Sequence, residues 1–320
     1  MRAILFLAVA CFFADATAAE VGQYPARPVR MIVPYAPGGG ADTLGRYIGQ
    51  ALGESFGQSF VIDNRGGGGT ILGSDLAARA PPDGYTIIMV ASTHAVVSSL
   101  YKSLPFDPIR DFAPIVRVAS APNILVVHPG LAVTSVKELV ALAKSRPGEL
   151  VYASSGNGGG SHLAMELLRS MTHIDLIHVP YKGTGPAMID LLSGQAKLMF
   201  GGMIGTVTHA RSGRLRVIAV SSAARAAAMP DVPTVAESGY PDYEATTWYG
   251  LLGPAALSRA LVMSLNERSV QLLKEPKLQA RIVAQGAEIS AGTPDSFASY
   301  IKSEQLKWAR VVKASGARPE

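Results

Sequence analysis

Apolar and polar positions along this chain switch between two periods. Val29 to Val33 is a short apolar, β-branched run that predicts a buried strand. Leu44, Ile48, Ala51 and Leu52 then recur at helical spacing and predict an amphipathic helix from Asp42 onward. The same alternation continues. Phe60 to Asp63 predicts a strand leading into the glycine loop Asn64 to Gly69, a helix falls around Ser74 to Arg79, and Tyr85 to Val90 predicts a third strand. Strands and helices in turn predict an α/β fold whose parallel sheet is covered on both faces.

A second set begins near Asn123. Ile124 to Val127 predicts a strand, and Ser135 with Glu138 three residues on forms a capping box for a helix ending near Arg146-Pro147-Gly148. Val151 to Ala153 predicts a strand, Ser154 to Gly160 a glycine-rich loop, and Ser161 to Ser170 a helix with Leu163, Leu167 and Leu168 on one side. Pro186 opens a further helix that Gly194 closes, and Lys197 to Phe200 and Arg216 to Val220 predict strands. The last third adds helices. Thr293-Pro294-Asp295 is a start signal made of a cap, a first-position proline and an acid, for a helix running to about Val312.

Each half thus contains strand, glycine loop and helix in succession, at Ala36–Asp42 and at Ser154–Ser161. The first amides of a helix have no internal partner and lie at the positive end of its dipole, so such a junction offers N–H groups to an anion. It also serves as an ordinary turn, and the stretch alone leaves both readings open.

Composition narrows the classes. The chain has 320 residues, 48% of them hydrophobic and 17% charged, which is enough for one large or two ordinary domains with a sizeable core. Its net charge of +5 favours anionic partners, but the basic residues are scattered, so nucleic acid is not an expected partner. Residues 1–19 read as an export signal: Arg2, an apolar run from Ala3 to Phe13, and small-x-small cleavage sites at Ala16-Thr17-Ala18 and Thr17-Ala18-Ala19. The apolar run is too short to span a bilayer as a helix. Cys11, in a weak lipoprotein-like context, is the only cysteine, so the processed chain would carry neither thiol nor disulfide and would be an exported, periplasmic protein.

Nucleotide and hydrolase signatures are absent. No Gly-Lys-Ser/Thr loop occurs, Gly156-Asn157-Gly158-Gly159-Gly160 lacks the dinucleotide spacing, and there is no Gly-x-Ser-x-Gly elbow. His162 and Glu166 share a helix face but lack a second helical histidine, so no metal is expected; His162 is either a ligand contact or a structural residue. Asp42 reads as a cap for free amides, Trp248-Tyr249 as either cleft wall or core, and Lys182 as either an anion contact or a solvated side chain. An exported α/β hydrolase using Ser155 and His162 stands as the rival class, although no acid is placed to orient His162.

Taken in order, several stretches resemble one family, the tripartite tricarboxylate transporter receptors, or Bug proteins. They are Val33-Pro34-Tyr35-Ala36-Pro37-Gly38-Gly39-Gly40-Ala41-Asp42, Asp63-Asn64-Arg65, Pro82-Asp83-Gly84-Tyr85-Thr86 and Tyr152-Ala153-Ser154-Ser155-Gly156-Asn157-Gly158. His162-Leu163-Ala164-Met165-Glu166, His178-Val179-Pro180-Tyr181-Lys182-Gly183 and Pro230-Asp231-Val232-Pro233-Thr234 continue the match, which runs from about Tyr24 to Gly316. The resemblance implies a two-domain, type II-like periplasmic-binding-protein fold, a Venus flytrap with its ligand between the domains. It implies residues 20–120 plus 222–320 in one domain and 121–221 in the other, with crossings near Ala119–Asn123 and Ala219–Ser222. It further implies a monomeric receptor, not an enzyme, without cofactor, that takes a small carboxylate and passes it to membrane transporter subunits. Carried residue by residue, ligand contacts would come from Tyr35, Gly39, Gly40, Ala41 and Thr93 in the first domain, and from Ser154, Ser155, His162 and Thr184 in the second. Where many relatives carry an acidic and a polar residue after the strand ending at Phe200, this chain has Gly201-Gly202-Met203, which points away from amino acids.

Overall fold

The computed structural model describes residues 24–315. The segment expected to be an export signal, with Cys11, lies outside the described residues.

Two β-sheets share one long strand. In chain order the first elements are β1 (Val29–Val33), α1 (Gly40–Phe56), β2 (Phe60–Asn64), α2 (Ile71–Ala78), β3 (Thr86–Ala91), α3 (Thr93–Leu100) and β4 (Phe112–Val127). The next are α4 (Val136–Ser145), β5 (Val151–Ser154), α5 (Gly160–Thr172), β6 (Ile177–Pro180), α6 (Thr184–Leu192), β7 (Leu198–Gly202), α7 (Met203–Arg211) and β8 (Arg216–Val220). The chain closes with β9 (Thr246–Pro254), α8 (Arg259–Leu273), α9 (Pro276–Ala284), β10 (Glu288–Ile289) and α10 (Pro294–Ser315). In the first sheet β2, β1 and β3 run parallel, β9 lies antiparallel between β3 and β4, and β10 pairs with the other edge of β4. In the second, β6, β5 and β7 run parallel, β4 is antiparallel to β7, and β8 takes its far edge.

The sheet is therefore mixed, which corrects the parallel sheet expected from the alternation. Each strand–helix unit does return its strand parallel, but β4 and β9 carry the chain between the halves and enter antiparallel. β4 pairs with β9 through Pro122 and with β7 from Asn123, so it passes from one sheet to the other at that step. The sequence showed only its last four residues. Pro114 and Pro122 interrupt the pattern, and a register shift follows Pro114 in the ladder.

Both faces of the first sheet are covered, which explains why its strands are continuously apolar. Met31, Val33, Ile87 and Met89 face Leu44, Ile48 and Leu52 of α1. Ile32, Ile88 and Val90 face the opposite way, toward Trp248, Phe297 and Ile301. In the second sheet Leu125, Tyr152 and Phe200 share a cluster with Leu163 and Leu168 of α5. Val235 and Tyr243 belong to that cluster too, and the Tyr243 hydroxyl donates to Ala164 O at 2.7 Å. The segment after β8 thus stays with the second sheet until β9.

The caps follow the chemistry of their residues. Ser135 Oγ accepts from Glu138 N at 3.2 Å as expected, while the Glu138 carboxylate reaches the Thr134 N–H rather than that of Ser135. Pro186 lies in the first turn of α6, which begins two residues earlier at Thr184.

Candidate functional site

The cleft lies between the two sheets, where the loops after β1, β3, β5, β6 and β7 converge. Carboxyl ends of parallel strands are where α/β sheets leave room for ligands. Four helices begin there: α1 at Gly40, α3 at Thr93, α5 at Gly160 and α6 at Thr184, and residues of all four first turns line one inner slot of about 40 Å³. None of the four has a side-chain cap. α2 and α7, whose N-caps Thr70 and Gly202 stand at the same cleft, lack one too, and the remaining helices are treated differently. Ser135, Ser258 and Thr293 cap α4, α8 and α10, and α9 carries Pro276, which has no N–H, at its start. Free helix amides are thus gathered at the cleft.

The slot holds no charged side chain; its polar lining is hydroxyl, amide and phenol, from Thr93, Ser155, Ser161, Asn123, Thr184, Thr247, Tyr35 and Tyr249. It joins an outer chamber of about 190 Å³ that shares Tyr35, Thr93 and Ser155 and adds Gly67 to Thr70, Tyr101, Asn157, Tyr181 and Lys182. Among the described residues Lys182 is the one charged residue lining either space. A larger cavity of about 710 Å³ lies at the far edge of β4, lined by Arg211, Arg225, Glu244 and Glu288; its mixed charges and its distance from the glycine loops set it apart.

The first glycine loop is anchored by Asp42. Its carboxylate accepts from Gly38 N at 3.0 Å, from Arg46 Nη2 at 2.9 Å and from Asn64 Nδ2 at 3.0 Å. Burial pushes this carboxyl up, but the hydrogen bonds from Arg46, Gly38 and Asn64 outweigh it and hold it below the ordinary carboxylate range. Asp42 therefore spends its charge on the loop and on Arg46. Tyr35 stands beside the loop, its phenol pushed up to about 12 by burial despite hydrogen bonds with Thr93 and Ala91.

The second loop rests on two imidazoles. His162 Nδ1 accepts from Gly158 N at 3.0 Å, and the ring stacks on His178 with centroids 4.3 Å apart. His178 in turn stacks on Tyr152, and its Nε2 pairs with Ser154 Oγ at 2.7 Å, while Gly156 N donates to the same hydroxyl. Burial, and then the Arg169 charge, lower His162 to about 4; burial and the His162 ring lower His178 to about 3. Both rings are neutral at physiological pH, and His162 Nδ1 is an acceptor.

Seven of the nine residues expected in the site line the slot: Tyr35, Gly39, Gly40, Ala41, Thr93, Ser155 and Thr184. Ser154 and His162 do not reach it. They lie behind the loop, fully and nearly fully buried, with their polar atoms turned to backbone amides. The pairing required of a Ser155–His162 hydrolase is likewise not formed, since His162 Nδ1 is taken by Gly158. A serine–histidine contact does exist, between Ser154, which is fully buried, and His178, which is half-buried behind the loop.

Sequence reasoning missed Asn123, Ser161, Gly202, Thr247, Tyr101 and Asn157, and left Tyr249 open. A period-two signal was present in β9: Thr247 and Tyr249 face the slot, whereas Trp248 turns to the core and donates to Glu304 at 3.2 Å. Across the rim the halves touch. Ala36 N donates to Lys182 O at 2.8 Å, and Gly185 packs so tightly against Pro37 O that a Cβ there would overlap it.

Comparison with known proteins agrees on one family. The profile described as tripartite tricarboxylate transporter family receptor matches residues 44–317. Protein BugT of Bordetella pertussis is 37% identical over 316 residues, covering 98% of this chain and 96% of its own. A structure from R. palustris, Rpa4515 with adipate, superposes with a TM-score of 0.90 at 35% identity, covering 93% of this chain and all of that one. MatC from Rhodopseudomonas palustris with bound malate gives 0.87 at 29% identity, covering 90% of this chain and all of that one.

Proposed function

The chain belongs to the tripartite tricarboxylate transporter receptor family, and from that premise we propose that it is a periplasmic receptor that closes on a small carboxylate and hands it to a membrane transporter. The observation that carries this reading is the gathering of four uncapped helix starts around a slot without charged side chains. Those amides suit a carboxylate, which accepts several hydrogen bonds at once. A hydrogen bond to a charged group contributes about 1.5–3 kcal/mol, and micromolar binding needs about 8 kcal/mol. A few well-aimed amides reach that range after ordering costs, with no lysine or arginine in the slot. The adipate and malate held by the two related structures are carboxylates of this kind.

Ligand contacts are assigned to Tyr35, Gly39, Gly40, Ala41, Thr93, Ser155 and Thr184, with Ser154 and His162 setting the loop behind them. The hinge is placed at Pro122–Asn123 and at Ala245–Thr246, so that 123–245 forms the second lobe. This is later than the boundary at 222, because Val235 and Tyr243 pack into the second core. Export through residues 1–19 and a monomeric receptor complete the proposal. The absence of any acidic side chain along the slot and chamber leaves an ammonium group without a partner, so amino acids are disfavoured.

A thermal-shift panel tests this. The processed protein, unfolded and refolded to strip copurified solute, is screened against mono-, di- and tricarboxylates, aromatic acids and amino acids. At a hundredfold excess over its dissociation constant, a ligand stabilises the native state by about 2.7 kcal/mol. A shift with an acid, exceeding that of its α-amino counterpart, is expected. No shift with any carboxylate overturns the receptor reading, and a stronger shift with the amino acid overturns the ligand class.

A further inference from the structure

Closing lobes must stop somewhere, and where they stop sets the distance between the amides of one lobe and those of the other. Thr247 lies on β9 in the first sheet, paired with Ala121, and is nearly buried. Gly160 opens α5 in the second lobe. A Cβ built on Gly160 would come within 3.0 Å of Thr247 Oγ1, closer than real Cβ atoms approach. The Gly160 Cα therefore rests directly on the Thr247 side chain, across the cleft floor.

That side chain is held in place. Thr247 Oγ1 donates to Asn123 Oδ1 at 3.4 Å. Asn123 sits at the crossing, its side-chain amide donating to Ala245 O at 3.3 Å and its backbone N–H to Ser221 Oγ at 2.8 Å. Two residues along the same face of β9, the Tyr249 hydroxyl meets Gly40, the first residue of α1, in the same way. One strand thus seats the first turns of two helices. The Gly40–Tyr249 contact lies within one lobe and exists whenever that lobe is folded. The Gly160–Thr247 contact lies between the lobes, in the closed arrangement seen here.

We propose that Thr247 is the closing stop of the receptor, a positioning residue that fixes the gap between the α1 and α5 amides and so selects ligand length. This rests on the receptor reading above. Gly160 has ordinary helical backbone, so alanine is tolerated there except for the meeting with Thr247.

The test is a cycle of Gly160→Ala, Thr247→Ala and the double variant, titrated with straight-chain dicarboxylates from succinate to suberate. Gly160→Ala is expected to weaken binding about ten- to a hundredfold, the range that one forced methyl group corresponds to. Its unfolding midpoint without ligand should match that of the parent protein. The double variant recovers most of the loss, and Thr247→Ala alone moves the preferred acid toward a shorter chain. Small-angle scattering at saturating acid reads the same contact independently: Gly160→Ala leaves a larger radius of gyration than the parent protein and the double variant restores it. Normal binding by Gly160→Ala, no recovery in the double variant, or an unmoved length preference in Thr247→Ala overturns the stop. If the parent protein binds none of the acids, the receptor reading fails and the stop with it; if it binds them and the variants bind and scatter as it does, the stop alone fails.

Discussion

His162, stacked on His178, does its work as an acceptor through Nδ1, which only neutral imidazole can do. Protonating His162 Nδ1 would turn it against the Gly158 N–H it now accepts from. The groups around the pair are Tyr152, Glu166 and Arg169, and Arg169 ties up Glu166 at 2.7 Å. Burial lowers His94 to about 4 as well. In the unfolded chain all three titrate near 6.5. As pH falls below that value the unfolded chain takes up protons that the native protein refuses. The stability from these histidines is complete above pH 6.5 and is lost progressively toward about pH 4. Urea midpoints measured from pH 8 to 4 should be flat above 6.5 and fall below it. A midpoint unchanged down to pH 5 would show that the rings are not held neutral. From the sequence, His162 was visible as a polar residue at a helix start beside a glycine loop. Its orientation was not, because whether such a ring points into the cleft or under the loop depends on the stacked partner from β6, sixteen residues away in the chain.

Among elements, the strand–loop–helix units were the most legible, since period and punctuation agree in each. β1 to α1 and β5 to α5 lie where their residues placed them. α3, the first part of β4 and all of β9 were not seen. α3 is short and follows its strand almost without a break, β4 is interrupted by proline, and β9 reads as a mixed aromatic run whose partners β3 and β4 lie far back in the chain. Asn123 and Thr247, missed among the slot residues, and Tyr249, left open, lie on these elements. Helix starts also carry a stability cost that can be exposed. Gly39, the N-cap of α1, has the extended backbone of a cap and only ordinary contact with Thr184 where a Cβ would stand. Gly39→Asp would place a carboxylate of the protein's own on the α1 amides. Stability is expected to hold or rise, by about a few tenths of a kcal/mol, while carboxylate binding is lost. Retained binding in that variant would remove α1 from the site.

At the scale of the molecule, the two sheets are joined where β4 passes Pro122–Asn123 and where the chain enters β9 near Ala245. Rotation about so narrow a join changes the cleft without disturbing either core. The rim contacts, Ala36 with Lys182 and Pro37 with Gly185, put the structure in a closed form. A ligand that makes hydrogen bonds to both lobes favours that form by its differential affinity alone. Among the described residues no helix is long and apolar enough to cross a membrane. The central claim is that helix amides, not cationic side chains, hold a carboxylate between the lobes. Calorimetric titration of the acid that stabilises the protein most, side by side with its carboxamide, tests this most directly. Saturable binding of one acid per chain, falling at least about a hundredfold for the neutral amide as charge-assisted hydrogen bonds are lost, is the result predicted. Equal affinity for acid and amide would contradict it.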